Sequence, residues 1–236
     1  MQWSSEGLII GIKKHGETSL IVEAMVVGKG RHLGLVRGGR SAKLSPILQA
    51  GNSVKIDWRA RLEEHLGVFS IELIKARAAE LIAKRKKLSL SALLNDHLRL
   101  LAERDPHDEL LSMALSLLDS EKDDQELARD LAIFELKLLD ELGFGLDIFS
   151  CAISGETVGL THVSPRTGRA VTLEHAQPYI DRLLPLPAFL VDEVEPSLID
   201  VKNAIALSGH FLSMHVWLAR QINPPTTRDN LIKILL

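Results

Sequence analysis

The sequence predicts an α+β protein: a five-stranded β-barrel of the OB type, followed by an α-helical domain with one irregular insert. Two observations predict it. Apolar residues alternate over roughly the first 75 positions and then recur every three or four, the signatures of strands and of helices. Charge changes at nearly the same point. Residues 1–87 carry 16 Lys or Arg against 8 Asp or Glu and residues 88–236 carry 12 against 23, so the net charge of −3 conceals two opposite halves. A chain of 236 residues with 46% apolar content can bury a core without staples, and it divides more naturally into two small domains than one. The expected boundaries are 1–78 and 79–236.

The strands come first. LIIGIK (8–13), SLIVEAMVV (19–27), RHLGLVR (31–37), SVKIDWRA (53–60) and GVFSIELI (67–74) are β-branched or apolar runs separated by Gly, Asn and charged turns. Five antiparallel strands over this length fit a small Greek-key barrel of the OB type, with an SH3-like barrel as the alternative. The fourth strand shows its faces: Val54, Ile56, Trp58 and Ala60 alternate with Lys55, Asp57, Arg59 and Arg61. One face reads as core and the other as mostly cationic.

The helices follow. Residues 76–104 are rich in Ala, Leu, Lys and Glu and read as one helix. Pro106, in a first-turn position beside acids, opens a second. The third carries Leu127, Leu131, Phe134, Leu138 and Leu142 at helical spacing and ends at Gly143 and Gly145. After an irregular stretch from Phe149 to Pro187, residues 196–222 predict another helix, and TRDNLIKIL another beyond Pro224 and Pro225.

The function classes narrow quickly. One cysteine, Cys151, excludes an internal disulfide and makes a reducing setting the default. The N-terminus lacks a basic leader, and no apolar run approaches the roughly 18 to 20 residues of a membrane span, so the expected location is cytoplasmic. Zinc is not expected, because Cys151 has no cysteine partner and His162 and His175 show no paired-ligand spacing. His210 and His215 lie five apart on a helix and read as packing or surface residues. EKDDQE (121–126) reads as a linker that caps a helix. There is no Gly-x-Ser-x-Gly elbow, Walker loop, His-Glu-x-x-His or dinucleotide fingerprint, so no enzyme, catalytic residue or cofactor is expected.

What remains is polyanion binding. GRHLGLVRGGRSAK (30–43) sets Arg31, Arg37, Arg40 and Lys43 among the glycines 34, 38 and 39 without an acid, so cations and backbone N–H groups can meet phosphate together. Spacing adds Lys55, Arg59 and Arg61 on the fourth strand, and the run Lys84, Arg85, Lys86 and Lys87 as an extension of the same track. Lys13, Lys14 and His15 read as a polar turn. Aromatic content is 4%, and Trp58 alternates in phase with the core, so binding should lean on phosphates, with little sequence preference and steep salt dependence.

Four stretches together resemble the RecO family of bacterial recombination mediators, in particular its alphaproteobacterial members: WSSEGLIIGIKKHGETSLIVEAM, GRHLGLVRGGRSAKLSPILQAGN, LLDELGFGLDIFSCAISGE and VSPRTGRAV, spanning residues 3–171. The resemblance implies an OB domain, a helical bundle and a zinc-ribbon-like insert over 149–178. Metal-bearing relatives carry paired cysteines where this chain has Cys151-Ala152-Ile153-Ser154, which implies a degenerate insert without metal. The resemblance further implies a nucleoid-associated protein that binds single- and double-stranded DNA and anneals complementary strands. Its implied partners are RecR, the acidic C-terminal tail of the single-stranded-DNA-binding protein SSB, and RecF, with RecA loaded onto SSB-coated DNA. The competing readings are an OB-type adaptor for an acidic protein and an OB-type RNA-binding protein.

Overall fold

In a computed structural model describing residues 1–236, the N-terminal strands close on themselves. They are β1 (Gln2–His15), β2 (Ser19–Val26), β3 (Gly30–Val36), β4 (Ser53–Arg59) and β5 (Val68–Lys75), joined in the order β1-β2-β3-β5-β4. Strand β1 closes the sheet because it serves two neighbours: Gln2–Leu8 pair with β4, and Gly7–His15 with β2. A bulge between Ile9 and Gly11 bends it. This strand runs well beyond the expected 8–13 because β4 pairs with Gln2–Leu8; Gln2–Glu6 has a single apolar residue, Trp3, and so shows no alternation of its own.

The barrel interior is filled by Ile9, Leu20, Val22, Ala24, Val26, Val36, Leu48, Val54, Ile56, Trp58, Phe69 and Ile71. Trp58 is 2% exposed, as its phase predicts. Strands β3 and β5 share one parallel pair, Leu35 with Val68. There Phe69 lies over Gly34, where an added Cβ would meet the ring at 2.4 Å.

Beyond β5 the chain turns helical: α1 (Ala78–Ala83), α2 (Arg85–Leu98) and α3 (Asp108–Leu118). The single helix expected over 76–104 is therefore two, because Lys84 is extended, with φ −116° and ψ 111°. Pro106 lies before the first turn of α3, whose N-cap is His107. Asn52, fully buried, ties strand to helix: its Oδ1 accepts from the N–H groups of Arg77 and Ala78, and its Nδ2 donates to Pro46 O and Ile47 O. Arg77 donates to both carboxylate oxygens of Asp119 at 2.6 and 2.7 Å and to Ser53 Oγ. Residue contacts accordingly divide the chain at Asp119/Ser120, whereas the secondary structure changes type near residue 78.

The second unit, Ser120–Leu236, is built on α4 (Asp124–Glu141), opened by a capping box between Asp123 and Glu126. Four of the five residues of its predicted face, Leu127, Leu131, Phe134 and Leu138, are buried, and the fifth, Leu142, is half-buried at the C-cap. Strands β6 (Leu160–Val163), β7 (Ala170–Thr172) and β8 (Leu184–Pro185) form a small sheet in the order β7-β6-β8, with α5 (Leu173–Ala176) after β7. Helix α6 (Leu198–Leu212) runs into a π-turn at Ser213–Trp217, and α7 (Thr226–Leu235) closes the chain. His210 meets Pro165 O at 3.0 Å, and His215 stacks on Phe144 with centroids 4.8 Å apart, so both histidines are packing residues. No helix is long and apolar enough to cross a membrane.

Candidate nucleic-acid interface

Strand register gathers the predicted cations. Lys14 of β1 pairs with Leu20 of β2, and Leu20 with Val36 of β3. One residue earlier, Leu35 pairs with Val68 of β5, and Val68 with Arg59 of β4. Two strand spacings, about 10 Å, therefore separate the end of β3 from the end of β4. Leu35 N–H also donates to Gly67 O at 3.0 Å, tying the β4–β5 loop to β3. Arg40 joins the glycine-rich segment to the β1–β2 hairpin, its N–H donating to Thr18 O at 3.0 Å and its guanidinium to Glu17 O. The β1–β2 hairpin, the start of the β3–β4 connection and the β4–β5 loop thus open on one side of the barrel.

Exposed on that side are Arg37, Arg40, Lys43, Arg59 and Arg61. None of these five forms an ion pair. Lys13, Lys14 and His15, read from sequence as a polar turn, are exposed on the same side, because register carries the hairpin beside β3. Nothing in the linear sequence signals that proximity. Exposed acids are present too, at Glu17, Glu63 and Glu64.

Other predicted cations have different surroundings. Arg31 Nη1 lies 2.7 Å from Glu23 Oε1 and Nη2 lies 3.7 Å from Glu103, while Nε donates to Leu101 O. Its charge is spent inside the fold. Lys55 is exposed but sits in register between Glu6 and Glu72, so acids of the neighbouring strands flank it on the outer face of β4. The run at the α1–α2 break also divides. Lys87 is 7% exposed and 2.6 Å from Glu80, which Lys84 also meets at 3.1 Å; Arg85 is exposed and Lys86 half-buried.

The glycines are explained mostly by packing rather than by access to phosphate. Gly34 makes room for Phe69, and a Cβ on Gly39 would press on Leu20 and Leu48 at 3.1–3.2 Å. Gly38 alone faces open space, and its φ of +63° shapes the turn.

Beside the cations lies an aromatic group that composition understated. Trp3, half-buried, stacks on Trp58 at 5.6 Å with an 18° interplanar angle, and Phe69 and His32 meet it edge-on. Burial lowers the pKa of His32, and Arg104 adds to the effect. A groove of about 430 Å³ is lined by Arg59, Ala60, Arg61, His65, Gly67 and Val68, and Arg104 donates to His65 O at 3.0 Å on its border.

In the second unit Cys151 is buried at 2% exposure. Burial raises its thiol pKa, but hydrogen bonds from Ser154 and from the N–H groups of Ile153 and Thr172 outweigh it and bring the value to about 6. Those donors, together with the Cys151 N–H bond to Glu156 O at 2.7 Å, stabilise the turn.

Two family models match: "Recombination protein O N terminal" over residues 1–77 and "Recombination protein O C terminal" over 88–216. Among curated relatives, the DNA repair protein RecO of Chelativorans sp. is 46% identical over 240 residues, covering 100% of this chain and 96% of its own. That of Methylocella silvestris is 48% identical over 97% of this chain and 93% of its own, and that of Brucella abortus 45% identical over 98% and 95%. With its barrel and its helical region each matched by a family model and its full length matched by these relatives, the chain belongs to the RecO, or recombination protein O, family.

Proposed function

We propose that this protein acts in DNA repair by binding DNA phosphates along the cationic side of its barrel and annealing complementary single strands. One observation carries the reading: Arg37, Arg40 and Lys43 of the β3–β4 connection and Arg59 and Arg61 at the end of β4 and just beyond it stand exposed on one side and lack ion pairs. Such a surface releases condensed counterions when phosphates replace them. Annealing then needs no covalent step. Two strands repel through their phosphates, and a surface that neutralises both lowers the barrier to encounter while leaving base edges free.

The strand order and the position of its loops support an OB-type barrel over residues 1–78, since the β1–β2 and β4–β5 loops of that fold border its binding face. The small sheet β7-β6-β8 and the turn at Cys151 support reading 149–178 as a degenerate, metal-free ribbon within 79–236. Lys84, Arg85 and Lys86 form a second, weaker patch. Arg31, Lys55 and Lys87 contribute only to the long-range field. Following the family, RecR, the SSB tail and RecF are the partners, RecA is the recombinase loaded on SSB-coated DNA, and the setting is cytoplasmic and nucleoid-associated.

The test is strand annealing on naked and SSB-coated DNA, alongside a salt titration of single-stranded DNA and RNA binding. The triple variant R37E/R40E/K43E should abolish annealing acceleration and flatten the salt slope by about 2, at about 0.7 per phosphate contact on single strands. An unchanged slope removes these residues from the site, tighter binding of RNA favours the RNA reading, and a requirement for ATP contradicts the mechanism.

A further inference from the structure

Arg104 lies outside every strand and helix and outside the cations that sequence assigns to phosphate, yet its side chain reaches the interface. Its φ is +66°, and Gln221 is the only other residue besides glycines with a positive value. A long side chain is strained there, so the surroundings must hold it. They do so on both sides. Arg104 N–H donates to Arg31 O at 2.9 Å, and the Asp105 backbone packs on Gly30, where a Cβ would collide with it. The guanidinium crosses to the β4–β5 loop, Nη2 donating to His65 O at 3.0 Å. Arg104 is half-buried and forms no ion pair.

That bond falls at a gap in the barrel. Strands β3 and β5 share only the pair Leu35 and Val68, so no ladder holds the loop that precedes β5. Its last carbonyls are held singly instead: His65 O by Arg104, Leu66 O by Trp58 Nε1 at 3.1 Å, and Gly67 O by Leu35 N–H at 3.0 Å. At the other end Ala60 exchanges hydrogen bonds with Met1. Between these anchors stands Arg61, exposed on the groove that it lines with Arg59 and His65.

We propose that Arg104 is a positioning residue of the DNA interface: it fixes the β4–β5 loop before DNA arrives, so that Arg61 meets phosphate without first having to be ordered. A phosphate contact made from a loose loop loses affinity to the entropy of ordering that loop. The inference rests on the DNA-binding reading above and adds to it a residue that acts through another.

The experiment uses Arg104→Gly, because glycine adopts a positive φ without strain and the variant should fold. Fluorescence anisotropy with a dT oligonucleotide over a salt series compares wild type, R104G, R61A and R104G/R61A. R104G should bind about fivefold more weakly, the scale of ordering one residue's backbone, with an unchanged salt slope. In the R61A background the same substitution should alter affinity by less than about 1.5-fold, because no contact then depends on the loop. A slope lower by about 0.7 would make Arg104 a phosphate contact itself and overturn the positioning role. So would unchanged affinity in R104G, or a loss that persists in the R61A background, which charge alone would produce. In each of these cases a slope flattened by R37E/R40E/K43E keeps the phosphate reading; a slope that the triple variant leaves unchanged overturns both.

Discussion

Glu23 Oε1 lies 2.7 Å from Arg31 Nη1, and the same carboxylate receives Arg99 Nε at 2.8 Å on its other oxygen. One acid on β2 thus holds a cation from β3 and another from the residue that follows α2. Arg99 continues to Ile10 O at 2.6 Å, beside the bulge in β1. A residue that linear spacing assigns to phosphate is, in the folded chain, part of the joint between barrel and helix.

Arg31→Ala should therefore lower stability by about 2 kcal/mol, the scale of a partly buried charged hydrogen bond, and leave the salt slope of DNA binding unchanged. Urea unfolding and an anisotropy titration on the same variant check both halves. A flattened slope with unaltered stability would return Arg31 to the interface.

Register makes the opposite claim for the hairpin. Lys13→Glu with Lys14→Glu should weaken single-stranded DNA binding and flatten the slope by about 1.4, although sequence spacing gives these residues no part in it. Lys55→Glu, flanked already by Glu6 and Glu72, should change the slope by less than either substitution.

In the second unit Glu135 is 0% exposed and receives Arg228 at 2.7 and 2.8 Å and Ser208 Oγ at 2.6 Å. Glu135→Gln keeps the shape and removes the charge, leaving the Arg228 guanidinium buried without its counter-charge. The expected loss is about 3–5 kcal/mol, read from chemical denaturation. A loss below 1 kcal/mol would mean that neutral acceptors, Ile205 O among them at 2.8 Å, suffice to hold the buried guanidinium.

Asp119 sets an acid limit. Hydrogen bonds from Arg77 and then Lys75 hold its carboxyl down to about 2 against the opposing effect of burial, from an ordinary 3.8. A group depressed in the folded state stabilises it above the unfolded value, and that contribution fades as pH falls from 3.8 towards about 2. Wild-type stability should drop across this window, and Asp119→Asn should drop less steeply there. Parallel curves would assign the acid sensitivity to other carboxylates.

The change from alternating to helical periodicity near residue 76 was legible in the sequence, because period follows from backbone geometry and needs no neighbour. The α4 face was legible for the same reason, with Leu127, Leu131, Phe134 and Leu138 all inside. The first residues of β1 were not. Gln2–Glu6 carries almost no apolar signal, and its strand exists because β4 pairs with it. The break at Lys84 was hidden as well, since residues 76–104 all tolerate a helix and only the extended backbone at Lys84 divides them.

The sequence alone determined that this chain has a strand-rich basic half and a helix-rich acidic half, and it supplied the glycine-rich cationic segment. Tertiary structure decided which cations are open. Arg31 and Lys87 are consumed by Glu23 and Glu80, while Lys13 and Lys14 are brought beside Arg37. The reason is physical. Hydrophobic periodicity is a local property, whereas the availability of a charge depends on which carboxylates the fold brings within hydrogen-bond reach: Lys87 and Glu80 lie 7 residues apart, Arg31 and Glu23 8, and Arg99 and Glu23 76.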